Sequence, residues 1–142
     1  MTIYQGLTTV FKQNCLSGRE NFAAGTSYVY KVALYTALAD LSYATFVYTT
    51  SNEITGTGYT AGGKTLTVSQ VPTSSDQTAY VSFANVTWNP ASFTTRGALI
   101  YNSTTGAAVA VLDFGADKTC YNTFTITFPT ASAADAIIRI SN

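Results

Sequence analysis

The sequence contains no histidine, only two cysteines and few charged residues. Lysine and arginine number 7 and aspartate and glutamate number 7, so that charged residues make up 10% of the 142 residues, against about a quarter in a typical globular protein. Without histidine the chain lacks the commonest general base and the commonest transition-metal ligand, which excludes a Ser-His-Asp arrangement. The net charge of zero gives no electrostatic reason to expect nucleic acid or an anionic membrane as a partner.

The scarcity of cysteine and of long apolar runs limits the classes of protein to which the chain can belong. Cys15 and Cys120 are far apart in the sequence, which leaves one disulfide and two unpaired thiols as alternatives. Zinc requires about four clustered ligands, and the sequence offers no such cluster. Residues 1–12 show no basic segment followed by an apolar run, and no stretch of about 18 apolar residues occurs. We therefore expect no export, no membrane span, no metal and no cofactor.

What the sequence does contain is a series of short alternating segments, which is typical of β-structure. About eight strands at regular spacing predict an all-β fold, an antiparallel β-sandwich of the jelly-roll type, as a single domain over residues 1–142. Apolar residues at helical spacing before Gly18 predict a short helix over residues 7–16, within an N-terminal arm of residues 1–22. The predicted strands are residues 27–36, 45–50, 65–71, 79–85, 97–102, 107–114, 123–128 and 136–140.

Two parts of the predicted sheet are apolar on both faces. They are residues 27–36 and the hairpin formed by residues 97–102 and 107–114. A strand of this kind lies either inside a sandwich or beneath a partner, and the sequence leaves both alternatives open. Residues 72–77 are predicted to form a hairpin turn, and residues 115–120 a loop.

A glycine-rich loop, residues 52–64, is the most distinctive segment. Gly58, Gly63, Lys64 and Thr65 fit the pattern of a phosphate-binding loop. That loop needs a following helix, because the helix N-terminus holds the phosphates, whereas residues 66–72 alternate like a strand and end at a proline. The preferred interpretation is that the glycines permit tight turns and let the loop fold onto a sheet edge.

The acidic residues offer little catalytic chemistry. Glu53 is expected to accept hydrogen bonds from loop N–H groups or to pair with Lys64 or Arg96. Asp113 and Asp117 lie near a strand end, where acids usually form turns, and we do not expect them to act as a glycosidase pair or a calcium site. The single tryptophan, Trp88, is interpreted as a core or rim contact rather than a ligand platform.

Three blocks of the sequence resemble small virion structural proteins of tailed bacteriophages. They are YKVALYT at residues 30–36, TTSNEITGTGYTAGGKTL at residues 49–66, and TRGALIYN with AVAVLDFG at residues 95–102 and 108–115. The resemblance extends from about residue 10 to residue 140 of the chain. It implies a virion component, since similar small β-rich proteins decorate the capsid or form part of the neck or tail. It supplies no catalytic residues.

These observations lead to the hypothesis of a capsid decoration, or cement, protein. Its partners would be the major capsid protein and neighbouring copies of itself, on a virion assembled in the bacterial host cytoplasm. The hypothesis involves no nucleic acid, no membrane, no small-molecule substrate and no enzymatic activity. Two alternatives stay open: a neck, collar or tail component, and a carbohydrate-binding host-attachment module that uses an exposed tyrosine or Trp88 as a stacking platform.

Two segments are expected to contact partners, because both are long and adaptable: the glycine-rich loop and the N-terminal arm. A surface poor in charge gains about 25 cal/mol per Å2 of apolar area when a partner covers it. The predicted contact residues are Asn52, Glu53, Gly56, Gly58, Tyr59, Gly62, Gly63 and Lys64 in the loop, with Tyr4 and Phe11 in the arm.

Overall fold

The computed structural model describes residues 2–142 as a mostly β-structure with one short helix. The predicted all-β class and the short N-terminal helix are therefore confirmed. In chain order the elements are β1 (Gly6–Leu7), α1 (Thr9–Leu16), β2 (Tyr30–Tyr35), β3 (Lys64–Thr65), β4 (Val68–Ser75), β5 (Thr78–Phe83), β6 (Val86–Trp88), β7 (Phe93–Asn102), β8 (Ala108–Cys120), β9 (Phe124–Ile126) and β10 (Ile138–Ile140).

The strands form three antiparallel sheets. The main sheet has five strands in the order β1-β8-β7-β2-β3, a second has the order β10-β5-β4, and a third pairs β6 with β9. The predicted β7–β8 hairpin is confirmed and lies at the centre of the main sheet. It is longer than predicted, because pairing continues from Gly97 opposite Asp113 to Phe93 opposite Cys120. Residues 115–120 are thus strand, and their prediction as a loop is wrong.

The main sheet is buried on both faces. One face carries Val32, Leu34 and Ile100, which belong to a large core cluster that also includes side chains of the two smaller sheets. The opposite face carries Tyr35 and Leu99, which belong to a second cluster. The second cluster also contains Ile3, Val10, Ala39 and Leu41 from the N-terminal arm and the segment after β2. The chain therefore covers this face itself, and the apolar pattern of these strands does not require a partner.

We call residues 2–5 and 36–50 the covering layer, because they lie over this second face. A main-chain hydrogen bond joins the two parts of the layer, since Tyr4 N donates to Leu41 O at 2.8 Å. Another attaches the layer to the sheet, since Ala108 N donates to Phe46 O at 3.0 Å. The prediction of a strand at residues 45–50 is wrong. Only Val47 forms an isolated bridge, to Ala107, so the β-branched and aromatic residues here belong to a loop that runs across the sheet.

The helix begins two residues later than predicted, because Leu7 pairs with Ala110 in β1. Thr8 caps α1: its hydroxyl accepts from Phe11 N at 3.2 Å and donates to Ala108 O at 3.0 Å. Phe11 is 1% exposed in the large core cluster. Its prediction as a partner contact is therefore wrong, since a side chain packed inside the chain is not on the surface.

The remaining predicted strands are present with shifted ends. The turn predicted at residues 72–77 shortens to Asp76 and Gln77, and β4 continues through Pro72 to Ser75. Proline is tolerated there because β4 is an edge strand.

Cys15 and Cys120 are free thiols, which decides between the two alternatives left by the sequence. Within residues 2–142 no helix has both the length and the apolar character needed to cross a membrane.

Candidate functional site

The glycine-rich loop lies directly against the main sheet and the segment before β7. Gly63 has φ +76°, and a Cβ placed on it would lie 1.8 Å from Val32 O. Gly58 has φ +85°, and its Cβ would lie 1.9 Å from Pro90 O. Only glycine fits such contacts with a positive φ. The interpretation that the glycines let the loop fold onto a sheet edge is confirmed, and the loop is fixed in place rather than adaptable.

The resemblance of this loop to a phosphate-binding loop ends at its sequence. Lys64 and Thr65 form β3, so no helix N-terminus follows the glycines to hold a phosphate. The Lys64 ammonium instead donates to Thr87 O at 2.6 Å and lies 5.8 Å from the centroid of the Trp88 ring. Lys64 therefore fastens the loop to β6.

The Glu53 carboxylate holds the loop from inside. One oxygen accepts from Tyr59 OH at 2.5 Å and from Gly62 N at 2.7 Å, and the other accepts from Tyr48 OH at 2.7 Å. The expectation that Glu53 accepts from loop N–H groups is confirmed at Gly62. Its expected pairing with Lys64 or Arg96 does not occur: Lys64 bonds Thr87, and Arg96 pairs with Asp113 at 3.4 Å.

Tyrosines complete this arrangement, which we call the Glu53 network: Glu53, Tyr48, Tyr59, Gly62 and Tyr101. Tyr101 OH donates to Gly62 O at 2.7 Å, and the rings of Tyr48 and Tyr101 stack with centroids 4.5 Å apart. Tyr59 OH also accepts from Leu34 N at 2.9 Å, which links the loop to β2. The network thus connects the covering layer, the loop and the main sheet.

The pKa shifts of the tyrosines indicate that the network has a structural role rather than a role in proton transfer. Burial, and then the hydrogen bond to Glu53, raise the pKa of Tyr59 and of Tyr48 far above the usual value of a phenol. Burial, followed by the charge of Glu53, also raises the pKa of Tyr101. These phenols therefore remain neutral hydrogen-bond donors at ordinary pH. Every donor is already directed at the carboxylate or at a loop carbonyl.

No sequence pattern identified Tyr48 and Tyr101 as partners of the glycine-rich loop. Tyr48 lies in a segment that was predicted as a strand, and Tyr101 lies in a hairpin far along the chain. Only the fold brings them to Glu53. A buried carboxylate without a cationic partner must find neutral donors, but the sequence does not say which ones.

The predicted contact residues of the loop divide by accessibility. Asn52, Gly56, Gly58 and Lys64 are exposed, and Asn52 Nδ2 donates to Leu38 O at 3.2 Å. The other four, Glu53, Tyr59, Gly62 and Gly63, are half-buried. In the arm, Tyr4 is 62% exposed and accessible to a partner.

The exposed apolar side chains of the covering layer were not singled out by the sequence, apart from Tyr4. Five large apolar residues there are between 49% and 68% exposed: Tyr4, Leu38, Tyr43, Phe46 and Val47. We call this set the apolar cover. The main chain beneath it is held by hydrogen bonds to the arm and sheet, for example Thr9 N to Tyr43 O at 2.8 Å. A surface presented by a fixed backbone is suited to a partner of complementary shape.

The other candidate chemical groups are engaged or buried. Asp113 pairs with Arg96 and accepts from Gly115 N at 2.8 Å. Burial, and then the charge of Glu20, raise the pKa of Cys15 to about 11, so this thiol is protonated at neutral pH. Trp88 is 1% exposed; the interpretation as a core contact is confirmed, and its use as a stacking platform is excluded. Among residues 2–142, no three His, Cys, Asp or Glu side chains are grouped to hold a metal.

Comparison with known proteins returned no relative. No protein family, no curated protein and no solved structure matches this chain. Any functional conclusion therefore depends on the chain's own surfaces and on the sequence blocks described above.

Proposed function

We propose that the chain is a structural protein of a bacteriophage virion, and that it acts as a decoration, or cement, protein on the capsid. The observation that carries the proposal is the apolar cover: five large apolar side chains exposed on one fixed layer of the fold. Large exposed apolar patches on a folded domain commonly mark interaction sites. With charged residues at only 10%, little charge needs to be desolvated when such a surface is covered.

Two quantities favour binding to a shell: the apolar area that a partner covers and the number of equivalent positions on the shell. Each square ångström of apolar surface covered by a partner contributes about 25 cal/mol, and the loss of rotational and translational freedom opposes this gain. A shell presents hundreds of equivalent positions, so a modest stabilisation at each one adds up over the whole particle. The major capsid protein is the proposed partner, with neighbouring copies of this chain as further contacts.

The fixed backbone supports a role in stabilising a shell. The Glu53 network and the close glycine contacts hold the loop and the covering layer onto the main sheet. A surface that is already ordered loses little conformational entropy on binding. A rigid cement protein transmits load between capsomers, whereas a flexible one would yield.

We also infer that the three sheets pack as a β-sandwich of the jelly-roll type. What supports this is the large core cluster, which joins Val32 and Ile100 of the main sheet to Phe83 of β5, Ile138 of β10 and Trp88 of β6. Two sheets that share one apolar interior in this way are the usual arrangement of short antiparallel strands.

The copy number per particle tests the proposed position on the virion. We would purify particles of the phage that encodes the chain and quantify it against the major capsid protein by mass spectrometry. Hundreds of copies are expected for a lattice-covering cement protein. About a dozen would instead identify a neck, collar or tail component, and absence from the particle would contradict the structural role.

A pair of variants tests the apolar cover itself. Replacing Tyr43 and Phe46 by serine is expected to weaken binding to shells that lack the chain, because both side chains are more than 60% exposed there. Tyr121→Ser is the matched control, since Tyr121 is 86% exposed in the turn between β8 and β9. Equal loss of binding in both variants would contradict a specific role for the apolar cover.

A further inference from the structure

A continuous trough begins beside β10, on the side of this strand that has no neighbouring strand. It has no role in the contacts described above. Its first section, about 420 Å3, lies between β10 and β1 and has Ala110, Val111 and Leu112 of β8 along it. The second section, about 580 Å3, lies between β10 and α1. The third, about 220 Å3, leaves this edge and continues over the face of the second sheet, where Pro72 of β4 and Tyr80 of β5 line it together with Phe22. Neighbouring sections share lining residues, namely Leu7, Arg139 and Ser141 for the first pair and Phe11, Cys15 and Ile140 for the second. We call this feature the β10 trough.

Two sheet edges are open along the trough. Within residues 2–142, β10 pairs only with β5, and β1 pairs only with β8. Each edge strand therefore presents main-chain N–H and C=O groups with no partner strand. Natural proteins protect such edges or use them, and an extended peptide that adds a strand is the common use. The first section alone has room for about 14 water molecules at about 30 Å3 each, so space for an added segment exists.

Apolar side chains line the trough beside this edge. Leu16 of α1 is 92% exposed and Ile140 of β10 is 55% exposed, although both are large apolar residues. Leu7, which is half-buried, contributes further apolar surface between them. A strand laid along β10 would direct alternate side chains towards these residues. Main-chain bonds would then provide affinity, and the apolar sections would select the side chains.

The charge of the trough indicates what the added strand carries. Lys12 and Arg139 line the second section, and no acidic residue lines the first or second. The only ion pair found among residues 2–142 joins Arg96 and Asp113 elsewhere, so both cations lack a carboxylate partner there. Glu20, in the third section, is bonded inward to Tyr30 and Asn102. The outer trough is therefore basic and complements a carboxylate.

The same charges oppose a second copy as the occupant. If two copies paired their β10 strands about a two-fold axis, the same basic residues of both copies would lie along one interface. Like charges placed across a strand pair are destabilising. A different chain with an acidic residue fits this edge better than the chain itself does.

We propose that an extended segment of the shell protein docks in the β10 trough as an added strand, with a carboxylate beside its apolar side chains. The segment extends the second sheet beyond β10 and places its carboxylate near Lys12 and Arg139. The inference rests on the proposed function only for the identity of the partner. It adds a second contact surface to the apolar cover, and a protein that bridges capsomers needs two.

Hydrogen exchange on the full chain, free and bound to shells of the major capsid protein, tests the docking. Within residues 138–141, the amides that point away from β5 are expected to exchange at least about tenfold more slowly in the bound state, because an added strand pairs with them. The β4–β5 turn at Asp76 and Gln77 serves as the internal control and should be unchanged.

Charge variants test whether Lys12 and Arg139 attract the carboxylate of the docked segment. Lys12→Glu and Arg139→Gln should each weaken shell binding about tenfold, while Lys118→Glu, an exposed lysine at the far end of β8, should leave it unchanged. Arg139→Gln keeps an N–H donor for the bond that Arg139 makes to Ala134 O.

These experiments distinguish failure of the docking hypothesis from failure of the proposed function. If the chain binds shells without protection at residues 138–141, the docking is overturned and the decoration role stands. If it does not bind shells at all, both are overturned. A concentration-dependent dimer protected at residues 138–141 would make the occupant a second copy and would overturn the inference as stated.

Discussion

At the residue scale, the Glu53 carboxylate has the most consequential contacts in the molecule. It accepts three hydrogen bonds from groups in the covering layer and the loop, at 2.5 to 2.7 Å. Hydrogen bonds to a charged acceptor contribute more than neutral ones, and their donors are costly to leave unpaired.

We predict that Glu53→Gln lowers the free energy of unfolding by about 2–3 kcal/mol. The amide offers one acceptor oxygen, and its NH2 group would face a donor. Urea denaturation of the variant against Asp117→Asn, which replaces an exposed carboxylate, measures the difference. A loss no larger than that of Asp117→Asn would show that the network contributes nothing to stability.

Two glycines with similar φ angles allow the energetic cost of a steric contact to be distinguished from the cost of backbone strain. Gly63 has φ +76° with Val32 O 1.8 Å from an added Cβ, whereas Gly106 has φ +84° with nothing within 4 Å. Gly106→Ala should cost about 1–2 kcal/mol for the left-handed conformation alone. Gly63→Ala should cost at least about 3 kcal/mol, since the loop must also move away from β2. Equal midpoints in urea for the two variants would contradict the close packing of the loop.

At the element scale, Thr8 joins α1 to β8. Its side chain is fully buried, caps Phe11 N and donates to Ala108 O. Thr8→Val keeps the shape but removes every hydrogen bond of the hydroxyl, and we expect it to destabilise the fold by about 2 kcal/mol. Thr8→Ser keeps the hydroxyl and should lose only about 1 kcal/mol for the missing methyl group. Circular dichroism during denaturation measures both, and a Ser variant as unstable as the Val variant would contradict the bonding role.

The strands that the sequence predicted well are those whose pattern is set by local burial. The β7–β8 hairpin has a long apolar stretch in each strand and a turn that contains Gly106, and it is present, with strands longer than predicted. Residues 123–128 alternate strictly, and the strand there is confirmed over the shorter range Phe124–Ile126. The role of Glu53 as an acceptor for loop N–H groups also followed from its position at the start of a glycine-rich loop.

The errors occurred where a partner distant in sequence decides the structure. Residues 45–50 have strand composition, but they pair at a single position, Val47 with Ala107, and otherwise cross the sheet as a loop. Residues 115–120 have loop composition, but they continue β8, and their last three residues pair with Phe93 to Thr95. Phe11 was assigned to a flexible arm because its neighbour in the core, Phe22, is brought to it only by the fold. The open edge of β10 was likewise invisible, since strand order is not encoded in local pattern.

At the scale of the whole molecule, stability should depend on pH through the half-buried carboxyl of Glu20. Burial raises the pKa of Glu20 above its usual 4.5, although hydrogen bonds from Tyr30 and Asn102 act in the opposite direction. A raised pKa in the folded state means that protonation favours folding below pH 4.5, and this contribution is lost as pH rises through the folded value.

Glu20→Gln should therefore stabilise the protein relative to the native chain at pH 7, and the advantage should shrink as pH falls to 4.5. Urea denaturation at several pH values measures the difference between the two proteins. A constant difference across that range would contradict a raised pKa at Glu20. Asp117→Asn again supplies the control, because that carboxyl is exposed.

The pairing of β1 with β8 also determines when the molecule is able to fold during its synthesis. Gly6 pairs with Val111, and Thr8 bonds to the main chain of Ala108 and Val109. At about 5–20 residues per second on the ribosome, the first strand waits roughly 5–20 s for its partner to be made. Throughout that time Phe11 and the other apolar residues of the arm have no core to enter. A nascent chain of this protein thus exposes the apolar residues that pack against β8 until β8 has been synthesised.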